Sequence, residues 1–379
     1  MKIAFIGTKG MNFDENSFGG FETVVTELAP RFVANGHEVT IYCRKKLYKS
    51  KYLPNEIQGV KLKYYNGFES KNLGTMTNSL ISIIDSIKSK TQLVFLFNIG
   101  LGIYIPLLKL FNIKIVTNLD GVEWERSKWS NIAKLVFKFG ALLNVRYSDI
   151  LISDAEAIKN LYLCKYKRDS IVIQYGAEIS NDLRPDRIKS HGLTENGYYL
   201  LVTRFIPENN PLFIIKNFLK TKTDKPLVVL GRNYYSSKYE NKIKQICDSR
   251  IIFLGHINER KLLLEFYRYS YVYIHGHSVG GTNPTMLEAM ANNCCILALN
   301  TVFNQEMLVN GKYGLFYELN EIDFINKIEY LEHNNSVVSK YKEIVADRIR
   351  EYYNWLLVLE KYKSLLLDFE IFSEKSNNL

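Results

Sequence analysis

Residues 271–299 read YVYIHGHSVGGTNPTMLEAMANNCCILAL. They lay out an apolar strand (271–275), a polar corner, an amphipathic helix (284–292) and a second buried strand (294–299). Strand, helix and strand in that order build a parallel sheet with helices on its faces. Within the corner, Asn283 stands where a helix wants its N-cap, and Pro284 suits the first helical position, where a missing N–H costs nothing. Gly280 and Gly281 let the backbone come close to something bulky where the free amides and positive dipole end of the helix point. The guest such a corner suits is an anion, a phosphate first of all.

Outward from this unit the same rhythm continues. Strands are expected at 198–204, 226–231 and 251–255, with helices at 210–220, 238–248 and 258–269 between them. The first half alternates likewise, with strands at 2–7, 37–44, 60–66, 93–98, 113–119 and 149–154 and helices at 20–35, 73–89 and 129–147. Between the halves, 176–196 is polar and rich in turn formers, which reads as a linker. Tyr352, Trp355, Leu356, Leu359, Tyr362 and Leu366 fall at helical spacing in a last helix near 351–370. The expected architecture is therefore α/β, two doubly wound Rossmann-like domains spanning 1–180 and 181–350, followed by a C-terminal helical segment, 351–379. Ligands of such sheets sit at the carboxyl ends of the strands, and two such domains make the cleft between them the expected active site.

Composition narrows the classes. The chain has 379 residues, 47% hydrophobic and 23% charged, as an ordinary globular protein does. A formal charge of +10 favours anionic partners. No basic block or nucleic-acid module is present, so nucleic acid is not the expected one. The five cysteines form no CxxC pair, which leaves neither a disulfide framework nor a zinc spacing and points to a reducing, cytoplasmic setting. MKIAFIG runs straight into a strand, so no cleavable signal peptide is expected. The apolar run 93–111 is broken by Asn98, Gly100, Gly102 and Pro106. A strand, a glycine turn and a helix start fit it better than a membrane span of about 20 apolar residues.

Other constellations each carry a plain alternative. Gly7, Gly10, Gly19 and Gly20 line the first loop, where tight turning explains glycine as well as ligand approach does. Asp120 ends a buried strand and is a candidate functional carboxylate; Glu123, Glu125 and Lys128 suit a solvated loop, while Trp124 and Trp129 suit a core, a sugar or an interface. Arg204 ends the first strand of the second half, where it could clasp a phosphate or simply pair on the surface. Glu288, one turn into its helix, either complements the dipole or accepts from ribose hydroxyls. His275 and His277 face one side of a strand as a metal pair would, but no third ligand accompanies them, so no metal is expected.

Four blocks in order carry a resemblance: GTKG (7–10) with FGGFETVVTELAPRFVANGHEVTIYCR (18–44), NLDGVEWERSKW (118–129), TRFIPENNP (203–211) and HGHSVGGTNPTMLEAM (275–290). In these the chain resembles GT-B glycosyltransferases of family 4, and within them the bacterial rhamnosyltransferase branch that builds cell-wall and capsule polysaccharides. The resemblance implies two Rossmann-like domains, an acceptor domain first and a nucleotide-sugar domain second, with the last helix crossing back onto the first. It implies retaining, metal-independent transfer, most specifically of L-rhamnose from dTDP-L-rhamnose, with no cofactor. It assigns the donor to Gly19, Gly20, Arg204, Asn209, Gly255, His277, Gly280, Gly281, Thr282, Asn283, Pro284 and Glu288, with amides of 281–283 holding the sugar and phosphate.

Three positions depart from the family pattern. Gly280 replaces the first of two glutamates, Asn209 replaces the second cation of a diphosphate-binding pair, and Asp120 stands where many relatives have a histidine. Asp120 would orient or deprotonate the acceptor hydroxyl, or steady positive charge on the sugar ring. The acceptor expected is a lipid-diphosphate-linked sugar at the inner face of the cell membrane. Glu123, Trp124, Arg126, Lys128 and Trp129 are placed on the acceptor or membrane side, beside a basic, interfacial-looking helix at 126–146 with Phe137 and Phe139. Two other readings keep the nucleotide sugar: a 2-epimerase of the same fold, and a binding protein without catalysis. A nicotinamide oxidoreductase lacks an intact fingerprint.

Overall fold

The computed structural model describes residues 1–13, 19–50, 52–68, 73–119, 121, 123–125, 129–231 and 238–377. The chain divides into two compact units, Met1–Val172 with Val279–Gly281, and Ile173–Ser278 with Thr282–Leu379.

In the first unit β1 (Lys2–Ile6) leads through α1 (Gly20–Ala34) to β2 (Glu38–Arg44), then to β3 (Glu56–Ile57) and β4 (Val60–Tyr65). Next come α2 (Gly74–Lys88), β5 (Leu93–Phe97), α3 (Ile105–Leu110), β6 (Lys114–Leu119) and α4 (Asn131–Tyr147). The unit ends with β7 (Ile150–Ser153), α5 (Glu156–Tyr166) and β8 (Ile171–Val172). The strand order is β3-β4-β2-β1-β5-β6-β7-β8, parallel throughout except for the β3–β4 pair. β1 therefore neighbours β5 at the point where the winding reverses, the place where doubly wound sheets open a crevice at their carboxyl ends. Phe5 anchors one face, its ring 5.1 Å from that of Phe95 and 5.9 Å from that of Phe32 on α1. Ala4, Ile6, Val94, Leu96 and Ile115 pack on the other face.

The 93–111 run resolves into β5, a tight 3-10 turn (Ile99–Tyr104) and α3. Its glycines serve close packing: a Cβ on Gly102 would lie 2.0 Å from the Gly140 carbonyl oxygen of α4. No helix is long and apolar enough to cross a membrane among the described residues. Asn144 of α4 locks this contact. Its Nδ2 donates to the carbonyls of Ile99 (2.7 Å) and Gly140 (2.8 Å), and its Oδ1 accepts from the Thr117 hydroxyl of β6 (2.9 Å).

The second unit begins with α6 (Asp186–Lys189) and runs β9 (Tyr199–Val202), α7 (Pro211–Phe218), β10 (Leu227–Leu230), α8 (Lys238–Lys244) and β11 (Ile251–Gly255). Then follow α9 (Arg260–Tyr269), β12 (Val272–His275), α10 (Pro284–Ala291) and β13 (Cys295–Leu299). Residues 302–348, to which the sequence pattern assigns no element, fold as α11 (Val302–Met307), β14 (Leu315–Tyr317), α12 (Glu321–His333) and α13 (Asn335–Arg348). After a π turn comes α14 (Trp355–Asn377). All six strands are parallel in the order β11-β10-β9-β12-β13-β14, so this sheet reverses between β9 and β12.

The compact units divide at Val172/Ile173, and α14 groups with the second unit. The reason is the 173–177 segment, which is tied to that unit's C-terminal part. Gln174 Nε2 donates to the Tyr352 carbonyl (2.5 Å), the Ala177 N–H donates to that of Tyr353 (2.8 Å), and Lys361 Nζ donates to Gln174 Oε1 (2.7 Å).

Replacing Asn144 with Leu leaves the Ile99 carbonyl and the Thr117 hydroxyl buried without it. We expect a loss of about 2–3 kcal/mol in unfolding free energy, read by denaturant titration.

Candidate functional site

The loops that leave β9 and β12, side by side at the reversal of the second sheet, are bonded to each other. Ser278 donates both its N–H (2.9 Å) and its hydroxyl (2.8 Å) to the Glu208 carbonyl, and Asn210 Nδ2 donates to the Gly276 carbonyl (2.9 Å). Gly276 must be glycine for room: a Cβ there would lie 2.5 Å from the Asn209 carbonyl oxygen. Arg204, two residues beyond β9, is exposed. Asn209 is buried and turned inward, its Nδ2 donating to Thr203 Oγ1 (3.0 Å) and to the Arg204 carbonyl (3.3 Å). It braces the arginine loop, and as an amide it supplies no positive charge where the family pattern has a second cation.

Asn283 caps α10 as its position predicts, Oδ1 accepting from the Thr285 N–H (3.1 Å) and hydroxyl (2.8 Å), with Pro284 at the first helical position. The Asn283 N–H itself points at Met307 Sδ (3.4 Å), which removes one of the three amides expected to face a phosphate. Thr282 is buried beside it, and Gly280, at φ +130°, and Gly281 group with the first unit.

Behind the cap runs a buried chain of side chains. The Thr285 hydroxyl donates to Asn283, so it accepts from the Tyr273 hydroxyl (3.2 Å); the Tyr273 proton is then committed, and His275 Nδ1 donates to that oxygen (3.0 Å). His275 Nε2 is left as a fully buried acceptor with no partner among the described residues. Burial pushes the His275 imidazole down to about 3, so it stays neutral. The His277 ring stacks on it at 4.4 Å, and the His277 carbonyl accepts from Asn304 Nδ2 (3.2 Å). Stacked rings do not converge on one ion. Among the described residues no group of three or more His, Cys, Asp or Glu could hold a metal ion.

Glu288, farther along α10, is ion-paired with Arg260 at the start of α9. Tyr267 lies buried nearby; burial first, then the Glu288 charge, raise its phenol well above its ordinary value. Gly255 ends β11 at φ +70° and accepts from the Gly231 N–H (2.6 Å).

In the first unit Gly19 caps α1 and Gly20 opens it. Glu22 holds this entry: one carboxylate oxygen accepts from the Lys9 N–H (2.7 Å) and the other from the Gly19 N–H (2.9 Å). Glu123 is buried and accepts from Trp129 Nε1 (2.8 Å). Trp124 is also buried, its ring edge-on to Tyr162 at 6.4 Å and capped by the Lys165 ammonium at 4.4 Å. The core alternative holds for Trp124, and Glu123 is a structural acceptor more than a solvated charge. Phe137 is buried as well, against Trp129, whereas Phe139 is exposed. Asp120, Arg126 and Lys128 lie outside the described residues.

Residues 184–351 match the family model described as "Glycosyl transferases group 1", and residues 1–178 match one described as "Domain of unknown function". Most of the second unit is thus similar to glycosyl transferases group 1. The chain as a whole has the GT-B fold. It is similar to sucrose-phosphate synthase from Thermosynechococcus elongatus, 15% identical over 98% of this chain and 99% of that one, with a TM-score of 0.79. It is also similar to Anabaena HepE in complex with UDP-glucose, 12% identical over 97% and 100%, with a TM-score of 0.78. An uncharacterized glycosyltransferase of Methanocaldococcus jannaschii is 24% identical over 250 residues, 62% of this chain; the match spans 60% of that relative's length.

Several groups of the second unit's corner escape a sequence reading. Tyr273, Thr285 and Arg260 gain their roles only from contacts between separate elements. In the first unit Glu22 is different: three positions after Gly19, it has the spacing of a capping box.

The neutral His275 gives the second unit a pH dependence. Between pH 6.5 and about 3 the unfolded chain binds a proton that the folded chain refuses, so stability present above pH 6.5 is lost as pH falls toward 3. In His275→Gln the stability difference between pH 7 and pH 4 should shrink by about 3 kcal/mol, read by denaturant unfolding at both pH values.

Proposed function

We propose that the chain is a glycosyltransferase that takes a nucleotide-diphosphate sugar at the β9/β12 reversal and passes the sugar to an acceptor hydroxyl. The observation that carries this is the pair of braced loops: one presents Arg204, the other leads into the capped N-terminus of α10. A guanidinium and a helix N-terminus are the two groups best suited to a leaving diphosphate. The group 1 match over this unit and the UDP-glucose held by HepE support a nucleotide-sugar donor. In this reading the Thr282 amide and Arg204 neutralise the departing phosphates without a metal, Glu288 holds the ribose, and Asp120 orients or deprotonates the acceptor. The finer assignments are dTDP-L-rhamnose as donor, retention at the anomeric carbon and a lipid-diphosphate sugar as acceptor; these rest on the sequence resemblance.

The test is transfer by the purified chain, without added metal, to a short-chain lipid-diphosphate N-acetylglucosamine. dTDP-L-rhamnose, UDP-glucose, UDP-N-acetylglucosamine and GDP-mannose are run in parallel, with products read by mass spectrometry. A deoxyhexose mass gain is expected, with Arg204→Ala lowering kcat/KM on the order of a hundredfold and Asp120→Asn abolishing transfer. A gain from another donor would replace rhamnose and keep the site. No gain from a protein that still binds a donor would favour the non-catalytic reading.

A membrane face suits the lipid-linked acceptor. On α4, Ile132, Leu135, Phe139 and Leu142 are exposed at helical spacing, Lys134, Lys138 and Arg146 flank them, and no acidic residue interrupts the helix. On neighbouring α3 and just beyond it, Leu110 and Phe111 are exposed too. An apolar stripe with cations beside it is what an anionic bilayer surface receives. Leu135→Ser with Phe139→Ser should abolish co-sedimentation with phosphatidylglycerol vesicles and leave thermal stability unchanged.

A further inference from the structure

The first unit carries a buried amide that bonds to none of the described residues. Asn118, next to last in β6, is 3% exposed, and neither Oδ1 nor Nδ2 has a hydrogen-bond partner among the described residues. Other buried asparagines are committed: Asn144 to three groups, Asn78 to the Tyr65 carbonyl (2.8 Å), and Asn304 to the carbonyls of Leu299 (2.8 Å) and His277 (3.2 Å). Even Thr117, one residue earlier and on the opposite face, bonds both Asn144 and Ser148. A buried amide without partners destabilises the fold, and a leucine of similar size would remove that cost.

Placement explains what the fold does not. The register Phe97↔Asn118↔Ile152 puts the side chain on the face covered by α1. There the Phe97 ring meets Phe21, in the first turn of α1, edge to face at 5.2 Å. Asn118 is thus one strand away from the β1/β5 reversal, at the carboxyl end of its strand, where doubly wound sheets receive ligands. An amide presents an acceptor and a donor side by side, and a sugar hydroxyl, or two neighbouring ones, answers both.

We propose that Asn118 is a sugar-binding residue: Oδ1 accepts a hydroxyl proton, and Nδ2 donates to the oxygen of the same or an adjacent hydroxyl. This rests on the transferase reading and adds a polyol contact in the first unit. The sugar is either the acceptor's or the one being transferred, and both have the chemistry required.

The experiment compares wild type, Asn118→Leu and Asn118→Ser by calorimetric binding of UDP-glucose, dTDP-L-rhamnose and a panel of methyl hexosides, with thermal unfolding of each protein alone. Affinity for at least one sugar should fall roughly tenfold in the Leu variant and less in the Ser variant, while the Leu variant melts at or above the wild-type temperature. A change confined to methyl hexosides assigns the acceptor; one confined to nucleotide sugars assigns the donor. Equal affinities in wild type and Leu variant overturn the proposal, as does a wild type that binds none of the probes. A Leu variant that melts several degrees lower with affinities intact also overturns it, because the amide would then be structural. Asn118-dependent binding in a protein that transfers no sugar would sink the transferase reading and keep this one.

Discussion

The side-chain chain from Asn283 through Thr285 and Tyr273 to His275 sets how the end of β12 is joined to the start of α10. Thr285, Tyr273 and His275 each have one proton to give and Asn283 Oδ1 accepts the last, which fixes the direction of every bond, so the cap, the buried tyrosine and the neutral histidine are set together. The β9 loop is attached to the same corner through Ser278 and Asn210. Arg204 thereby leaves a loop whose backbone is braced from both sides. The reversal of the sheet between β9 and β12 makes this possible, because only there do two neighbouring strands send their helices to opposite sides.

The electrostatics of the second unit follow from burial more than from net charge. His275 is kept neutral, and Tyr267 and Tyr273 are kept protonated by desolvation, so the interior behind α10 contributes dipoles and no charge. Charge is carried at the rim by Arg204 and by the Arg260–Glu288 pair. Asn209, buried and bonded within its loop, adds no cation. A donor phosphate in such a site relies on a helix end and a guanidinium, interactions that strengthen as water is excluded.

The first unit uses glycine and amide chemistry for packing as much as for ligands. Gly102 and Gly140 let α4 approach the turn after β5, and Asn144 makes that approach a bonded one. α4 therefore turns its glycine face inward and leaves Ile132, Leu135 and Phe139 outside. Sequence reading treats Trp124, Trp129, Phe137 and Phe139 alike as aromatics near charge. The fold separates them, because Tyr162 and the α4 packing cover Trp124 and Phe137 and nothing among the described residues covers Phe139.

The sequence by itself determined the strand–helix alternation of both halves, the broken character of 93–111 and the cap at Asn283. These are local properties: period, glycine and proline placement, and a side chain within reach of its own helix's amides. It did not locate α12 and α13, whose apolar faces are sparse and join the core of the second unit through residues such as Phe324, Ile328, Leu331 and Val338. Nor did it divide the units at residue 173, a division that depends on hydrogen bonds to residues nearly 180 positions away. The inward turn of Asn209, the Arg260–Glu288 pair and the stranded amide of Asn118 were likewise decided only by tertiary structure. A side chain's partners there come from other strands and helices, and sequence spacing carries no record of which of them will be near.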